Sequence, residues 1–437
     1  MNILVIGSGG REHAICYAFA KSGRAGKVFC APGNDGIAQI AECVPLAAED
    51  VAGLADFATI HAIDLTFVGG ETPLAAGIVD AFEEKGLKII GASKGAARLE
   101  ASKGFAKEFM KRHGIPTANY ALAGSAAEAI AILGSGHFGD ERSPVVVKAD
   151  GLAAGKGVVV AVDRAEAVDA IKGLEQSVGA AAVEKIVLEE CLLGREVSLI
   201  MFADGENFAL MPPTRDHKRI GEGDTGPNTG GMGTITDDAL LTKDQLDDVV
   251  KTMIRPTLRG CIDEGFRFRG ILFLGLMMTP DGPKLLEYNV RFGDPETQSI
   301  LVRLETDLVD ICESMLEGTL GQIEIEWTPG NSATVVLAAE GYPQSPRKGD
   351  AISGLAKASV IPGVTIFHAG TALAAEGQAA AAGDRTSSGS AGFVTTGGRV
   401  LGVTAVAETL QESLDMAYSA VEKISWDGMR YRRDIGK

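Results

Sequence analysis

Short apolar runs that end in glycine recur through residues 1–101. Asn2–Ile6 (NILVI) stops at Gly7, and VFCAPGN, DLTFVGGE and LKIIGA repeat the signature. Helical patterning fills the gaps, beginning with GSGGREHAICYAFAKSG, a helix expected to stop at Gly23. Strands alternating with helices predict a parallel sheet. Its loops gather at the strand C-termini, the edge where such sheets bind ligands.

Beyond this unit, Phe105, Phe109 and Met110 fall at helical spacing in SKGFAKEFMKRH. Gly114 and Pro116 then give a stop signal. Residues 123–189 hold two valine-rich runs around a glycine-rich loop, a helix near Ala165–Leu174 and the strand IVLEEC. A long polar loop, PTRDHKRIGEGDTGPNTGGMG, is expected next, then a helix from near Thr242 and a hairpin, GILFLGLMMT–PDGP–KLLEYNVRFG. From about residue 326 the pattern turns β-rich, and the Ala/Gly/Ser-rich stretch Ala372–Ala391 is expected to form a hairpin tip.

The 437 residues exceed one ordinary domain and predict two to four. A formal charge of −17 excludes the basic stripe that nucleic acid needs. An anionic substrate must therefore be captured locally, by a few cations and backbone N–H groups. None of the six cysteines forms a CxxC pair or a metal-ligand spacing, which points to buried thiols in a reducing cytoplasm. No apolar stretch reaches the ~20 residues of a membrane span, and MNILVIGSGG lacks the positive start of a signal peptide.

The string GLAAGKG within VVVKADGLAAGKGVVV is not a Walker A loop. It is one residue short, has Gly157 where Ser or Thr should stand, and leads into valines instead of a helix. It fits a hairpin whose tip can present backbone N–H groups to phosphates, with Lys148 on the first strand and Lys156 in the tip. Lys103, in the first turn of its helix, opposes the dipole unless an anion sits there. Glu287, Asn289 and Arg291 alternate along an inferred strand and share one face, with Leu286, Tyr288 and Val290 on the apolar face. A carboxylate beside an amide oxygen suits Mg²⁺, and the arginine suits a phosphoryl group in transfer. Asp294 and Glu296 of RFGDPE are expected near the same site.

KADGLAAGKG, the IVLEE strand with Glu196 downstream, and LEYNVRFGDPE together resemble the ATP-grasp ligases. GSGGREH, APGN, DHKR, DTGPNTGGMG, FGDPETQ, FHAGT and GGRVL stand in the order of one branch, the glycinamide ribonucleotide synthetase family. The resemblance runs to the GMRYRRDIG terminus. It implies an N-terminal Rossmann-like substrate domain (1–101) and an α+β ATP-grasp body (102–122 and 190–325). It also implies a lid (123–189) and a β-rich C-terminal domain (326–437). The implied reaction uses ATP with Mg²⁺ or Mn²⁺ to activate glycine as an acyl phosphate, which the amine of 5-phosphoribosylamine attacks.

By the same resemblance, Lys103, Lys148, Gly155, Lys156 and Gly157 hold ATP phosphates. Glu189, Glu190 and Leu192 form the adenine hinge, Glu196 takes the ribose, and Glu287 and Asn289 bind metal. Gly9, Gly10, Asn34, Glu71, Asp216, Lys218, Gly230, Gly231, Arg291 and Asp294 surround the substrates, and Arg291, Lys148 and Asp216 are the catalytic candidates. Two positions depart from the pattern on the amine-substrate side: Gly70 replaces a usual proline, and Thr214-Arg215 replaces a common Ser-Gln. The expected assembly is a monomer or weak homo-oligomer. A dinucleotide-dependent oxidoreductase is the main rival, yet Glu12 stands where its fingerprint needs a third glycine. A non-catalytic nucleotide-binding regulator would not need the Glu287 face, and another ATP-grasp enzyme of purine synthesis is the nearest alternative within the class.

Overall fold

The computed structural model describes residues 1–151, 157–178, 185–374 and 392–437 as a mixed α/β chain. Five parallel strands open it: β1 (Asn2–Gly7), β2 (Lys27–Pro32), β3 (Glu42–Cys43), β4 (Leu65–Val68) and β5 (Ile89–Ile90). They lie in the order β3-β2-β1-β4-β5, the parallel sheet that the alternating pattern predicts. Leu4 and Ile6 enter one hydrophobic core while Ile3 and Val5 enter another, so both faces of β1 are covered. The first helix, Gly10–Ala20, ends short of Gly23.

A second, antiparallel sheet contains β6 (Tyr120–Ala123), β7 (Val145–Ala149), β8 (Val158–Ala161) and β9 (Ile186–Glu190), in the order β6-β9-β7-β8. β7 and β8 form the expected hairpin, with Lys148 opposite Val158. Gly155 and Lys156 lie outside the described residues. The helix beside this sheet runs Arg164–Val178, longer than its apolar pattern suggested.

The next strands are β10 (Arg195–Ala203), β11 (Phe208–Leu210), β12 (Thr214–Asp216), β13 (Arg219–Gly221), β14 (Thr225–Asn228), β15 (Gly233–Thr236), β16 (Gly270–Thr279) and β17 (Gly282–Asn289). The stretch expected as one polar loop is therefore largely strand. β12 and β15 belong to the central sheet, where Thr214, Thr234 and Thr236 are fully buried. Thr236 Oγ1 bonds Ser332 Oγ at 2.8 Å and Thr214 Oγ1 donates to the Ser198 carbonyl at 3.4 Å, so polar residues occupy core positions. Glycine and charge mask such strands in a hydropathy reading.

The chain ends with β18 (Asn331–Ala338), β19 (Ala351–Ile352), β20 (Val364–His368), β21 (Thr371–Leu373), β22 (Phe393–Thr395) and β23 (Arg399–Ala407). The large sheet runs β17-β16-β10-β12-β15-β18-β23-β20, with β11 beside β10, so it continues through the composition change near residue 326. β21 and β22 pair around the Ala/Gly/Ser-rich stretch, most of which lies outside the described residues. The helix Leu410–Val421, opened by a Thr409–Glu412 capping box, packs on β18 and β23.

The amino-terminal sheet is locked to both later regions. One core runs from Leu4 and Phe82 through Phe109 to Leu274 and Tyr288, and Phe67 stacks on Phe292 with ring centroids 5.7 Å apart. His13 Nδ1 accepts the backbone N–H of His368 at 2.8 Å, which joins the first helix to β20. Burial, with His368 adding to it, pushes His13 down to about 3, and burial pushes His368 to about 4. Both imidazoles titrate near 6.5 once unfolded. The unfolded chain thus binds more protons between about pH 6.5 and about 4, so stability falls on acidification through that window, by about 1.4 kcal/mol per pH unit for each group well inside it. The thermal midpoint is expected to drop below about pH 6.5, and more gently in His13→Asn. Equal slopes for variant and parent would remove His13 from this linkage.

Candidate active site

The β16–β17 hairpin sets the centre of the site. Glu287 pairs with Gly275 across the hairpin, and a Cβ on Gly275 would come 3.3 Å from Glu287 Cγ, so the glycine leaves room for the carboxylate. The register then slips, with Leu276 opposite Leu285, and Leu286 becomes the extra residue of a β-bulge. This corrects the simple alternation: Leu285, not Leu286, enters the core with Tyr288 and Val290. The strand stops at Asn289, so Arg291 lies just beyond it, yet Arg291 Nη2 donates to Asn289 Oδ1 at 3.1 Å. Tyr288 fixes the hairpin from behind through a 2.6 Å bond between its hydroxyl and that of Thr257.

Glu287 makes no hydrogen bond or ion pair among the described residues. Burial opposes its ionisation, but Lys218, Lys148, Lys103 and Arg291 outweigh that and hold its carboxyl below the usual range. Arg291 itself is clamped, with Nη2 2.9 Å from Glu100 Oε1 and Nε 3.2 Å from Glu71 Oε2. Burial works against the Glu71 carboxylate, and Arg291 with Arg11 reverses the balance and lowers its pKa.

On the nucleotide side, Lys148 and Lys107 grip one buried carboxylate, Glu189, at 2.7 and 2.8 Å. Burial lowers Lys107 to about 8 although Glu189 supports its charge. The Glu189 side chain is therefore committed, which leaves backbone atoms for the hinge role. Glu190 is tied as well, accepting from Asn119 N at 2.8 Å and from Asn119 Nδ2 at 3.1 Å. Leu192 is half-buried, and Glu196 pairs with Lys218 at 2.8 Å. Lys103 opens the helix Lys103–Arg112 and donates to the Gly151 carbonyl at 3.0 Å. The anion at that helix start is the Asp150 carboxylate, which accepts from Gly104 N and Ser102 Oγ. Gly157 closes the hairpin, its carbonyl accepting from Ala149 N.

The expected substrate side gathers at the C-terminal ends of β1, β2 and β4. Gly9 N–H donates to Glu12 Oε2 at 2.6 Å, and Gly10 starts the first helix. A Cβ on Gly7 or Gly69 would strike Glu12, so this carboxylate fills the space above the strand ends where a dinucleotide fold keeps glycine. Asn34 serves as a clamp: Nδ2 donates to the carbonyls of Ser8, His368 and Ala369, and Oδ1 accepts from Gly36 and Ile37. Gly70 caps the helix that begins at Glu71 and stands close to Arg11. Opposite lie Asp216 and Lys218. Burial and neighbouring Glu296 raise the Asp216 pKa well above its ordinary value, and its shielded Oδ1 has no partner among the described residues. A Cβ on Gly231, where φ is +111°, would press on Asp216 and Pro295, so only glycine passes there. Arg215, at the second unusual position, donates to the Lys437 carbonyl at 2.8 Å.

Four participants are absent from the sequence-based site. Arg399 of GGRVL pairs with Asp294 at 2.7 Å and donates to the Gly230 carbonyl. Gln298 Nε2 donates to the other oxygen of Asp294 at 2.8 Å. Arg11 and Glu100 flank the Glu71–Arg291 pair. GGRVL, FGDPETQ and GSGGREH contain three of them, but only the fold brings Arg399 beside Asp294. Glu100 sits in a helix with nothing in its spacing to mark it.

The residues fit a divalent ion. Glu287 offers an uncommitted carboxylate beside the amide of Asn289, and cations already favour its ionised form. No group of three His, Cys, Asp or Glu side chains among the described residues is arranged to hold a metal. A two-residue donor set leaves the remaining positions to water and phosphate oxygens, the usual arrangement for Mg²⁺.

Three family models cover nearly the whole chain: the N domain of phosphoribosylglycinamide synthetase over residues 1–100, its ATP-grasp (A) domain over 101–297 and its C domain over 332–437. A phosphoribosylamine–glycine ligase of Vibrio vulnificus is 47% identical over 440 aligned positions, covering 100% of this chain and 98% of the relative. One of Pseudomonas aeruginosa is 46% identical, covering 100% of this chain and 97% of its own. The crystal structure of phosphoribosylamine–glycine ligase from Thermotoga maritima superposes with a TM-score of 0.79 at 35% identity, covering 100% of both chains. The biotin carboxylase domain of a Hydrogenobacter thermophilus carboxylase, solved with MgADP and bicarbonate, shares the fold at 17% identity and a TM-score of 0.71, over 98% of this chain and 91% of its own. The chain belongs to the phosphoribosylglycinamide synthetase family of ATP-grasp ligases.

Proposed function

We propose that the protein joins glycine to 5-phosphoribosylamine at the expense of ATP, giving glycinamide ribonucleotide, ADP and phosphate in purine biosynthesis. The observation that carries this reading is Glu287, a carboxylate kept ionised by Lys218, Lys148, Lys103 and Arg291, with no direct partner among the described residues. Such a shell suits the triphosphate and the group passing from it. A carboxylate becomes a good electrophile only when one oxygen leaves as phosphate, so glycyl phosphate is the intermediate. Positioning and charge neutralisation then supply most of the catalysis, and no covalent protein nucleophile is needed.

In this reading 102–122 and 190–325 form the body, 123–189 the lid, 1–101 the amine-substrate domain and 326–437 the C-terminal domain. Lys103 and Lys148 hold ATP phosphates, the backbone of Glu189 to Leu192 borders adenine, and Glu196 meets the ribose. Glu287 and Asn289 would hold Mg²⁺ or Mn²⁺, which when bound supplies positive charge at phosphate oxygens. Arg291 steadies the phosphoryl group and the acyl phosphate with its planar fork. Gly10 offers its N–H at a helix start to the 5′-phosphate, and Gly9, whose own N–H is held by Glu12, lines the same turn. Asn34, Glu71, Gly230, Gly231 and Asp294 shape the remaining substrate surface. Asp216, whose buried Oδ1 is unpartnered among the described residues, is our candidate to take a proton from the attacking amine once its own carboxyl has ionised. The enzyme is placed in the cytoplasm, as a monomer or weak homo-oligomer; no described helix is long and apolar enough to cross a membrane.

ADP release that requires both glycine and phosphoribosylamine is the expected assay result, and release driven equally by another amino acid would reject the substrate assignment. Glu287→Gln is expected to lose most turnover while keeping its circular dichroism, with the loss deepest at limiting Mg²⁺; near-normal turnover there would sink the metal role. Arg291→Lys keeps the charge but not the fork. It should leave ATP affinity within a few fold and cut kcat by roughly 100-fold. A raised KM for ATP with unchanged kcat would reduce Arg291 to a nucleotide contact.

A further inference from the structure

Arg291 does not find its orientation alone. Glu100, from the helix Lys94–Ala101, touches it. One Glu100 oxygen, Oε2, accepts the backbone N–H of Val290 at 2.8 Å; the other, Oε1, lies 2.9 Å from Arg291 Nη2. The same carboxylate therefore fixes the main chain where β17 ends and the guanidinium one residue later. Its side chain is only 9% exposed, so the pair is shielded from competing water. Arg291 Nη2 also donates to Asn289 Oδ1, and Nη1 donates to the Phe292 carbonyl at 3.1 Å. Every contact that sets the plane of the guanidinium is thus local to β17, except those from Glu100 and Glu71.

We infer that Glu100 is a positioning residue for the ligase reaction: it aims the Arg291 fork at the phosphoryl group while bonding the Val290 backbone. The inference rests on the reading of Arg291 given above. Glu71 does not duplicate the role. It is a single, longer contact at 3.2 Å on Nε, it lies nearer the surface with a side chain 27% exposed, and it also neighbours Arg11. Glu100 alone couples main chain and side chain, and a fork held at two points loses less on reaching the transition state. Glu100 belongs to the amino-terminal part of the chain, so the catalytic arginine is aligned only when that part is packed against the hairpin.

The test is a double-mutant cycle in the full-length enzyme, read as kcat and as KM for ATP. Glu100→Gln keeps the shape and an oxygen for Val290 but removes the charge on Arg291. It is expected to lower kcat about tenfold, the scale seen when an outer partner of a functional group is lost, with KM for ATP unchanged. Glu100→Asp, which keeps the charge but withdraws it by one methylene, should show the same selective loss. In the background of Arg291→Lys, Glu100→Gln should add little. A Glu100→Gln enzyme with full kcat, or one whose loss multiplies undiminished onto Arg291→Lys, overturns the inference while leaving Arg291 in place. If Arg291→Lys itself keeps full kcat, the underlying reading of Arg291 fails first, and the positioning role falls with it.

Discussion

Charge balance around one carboxylate governs the site. The chain carries a formal −17, yet Lys103, Lys148, Lys218 and Arg291 converge on Glu287. Such a cluster repels itself unless its charge is offset, and the fold gives three of the cations their own counterions and Lys103 the Gly151 carbonyl. Lys148 leans on Glu189, Lys218 on Glu196, and Arg291 on Glu71 and Glu100. Glu287 is left over, near enough to feel all four cations and bonded to none. The buried pairs in this network, Lys148 with Glu189 and Arg291 with Glu100, tend to cost stability compared with apolar packing. Its retention makes sense as preorganisation, with positive charge standing where a triphosphate and a transferring phosphoryl group will need it.

Holding these groups takes parts from distant regions of the chain. Lys103 comes from a helix start, Lys148 from β7, Lys218 from just after β12, and Arg291 from just past β17. Helices of the amino-terminal region add Glu71 and Glu100, and β23 adds Arg399 on Asp294. The shared core from Leu4 to Tyr288 and the His13–His368 bond keep these pieces in register. The glycine-rich strand ends then earn their composition: Glu12 needs Gly7 and Gly69 beside it, and Asp216 needs Gly231.

Much of this was legible in the sequence because periodic patterns and motif strings are local. The parallel sheet, the hairpin of the two valine-rich runs, the helix Lys103–Arg112 and the shared face of Glu287 and Asn289 follow from spacing alone. The bulge at Leu286 was not legible, because an extra residue in a ladder leaves no local mark. Nor were β12 and β15, whose buried Thr214 and Thr236 bond to neighbouring strands, at the Ser198 carbonyl and Ser332 Oγ, and so read as polar loop. Glu189 falls at the expected hinge, but nothing in its spacing shows that Lys107 is folded inward against its side chain. Arg399 and Glu100 act through contacts far apart in sequence, which one chain read linearly cannot display.

The central claim is that the cationic shell serves phosphoryl transfer to the carboxylate of glycine. Glycine labelled with ¹⁸O in both carboxylate oxygens tests it most directly, during turnover with ATP and phosphoribosylamine. If one carboxylate oxygen attacks the phosphoryl group and leaves with it, each inorganic phosphate released carries one labelled oxygen, and the glycinamide product keeps the other. Phosphate without label would mean that glycine is never phosphorylated, and the role assigned to the cations around Glu287 would be wrong.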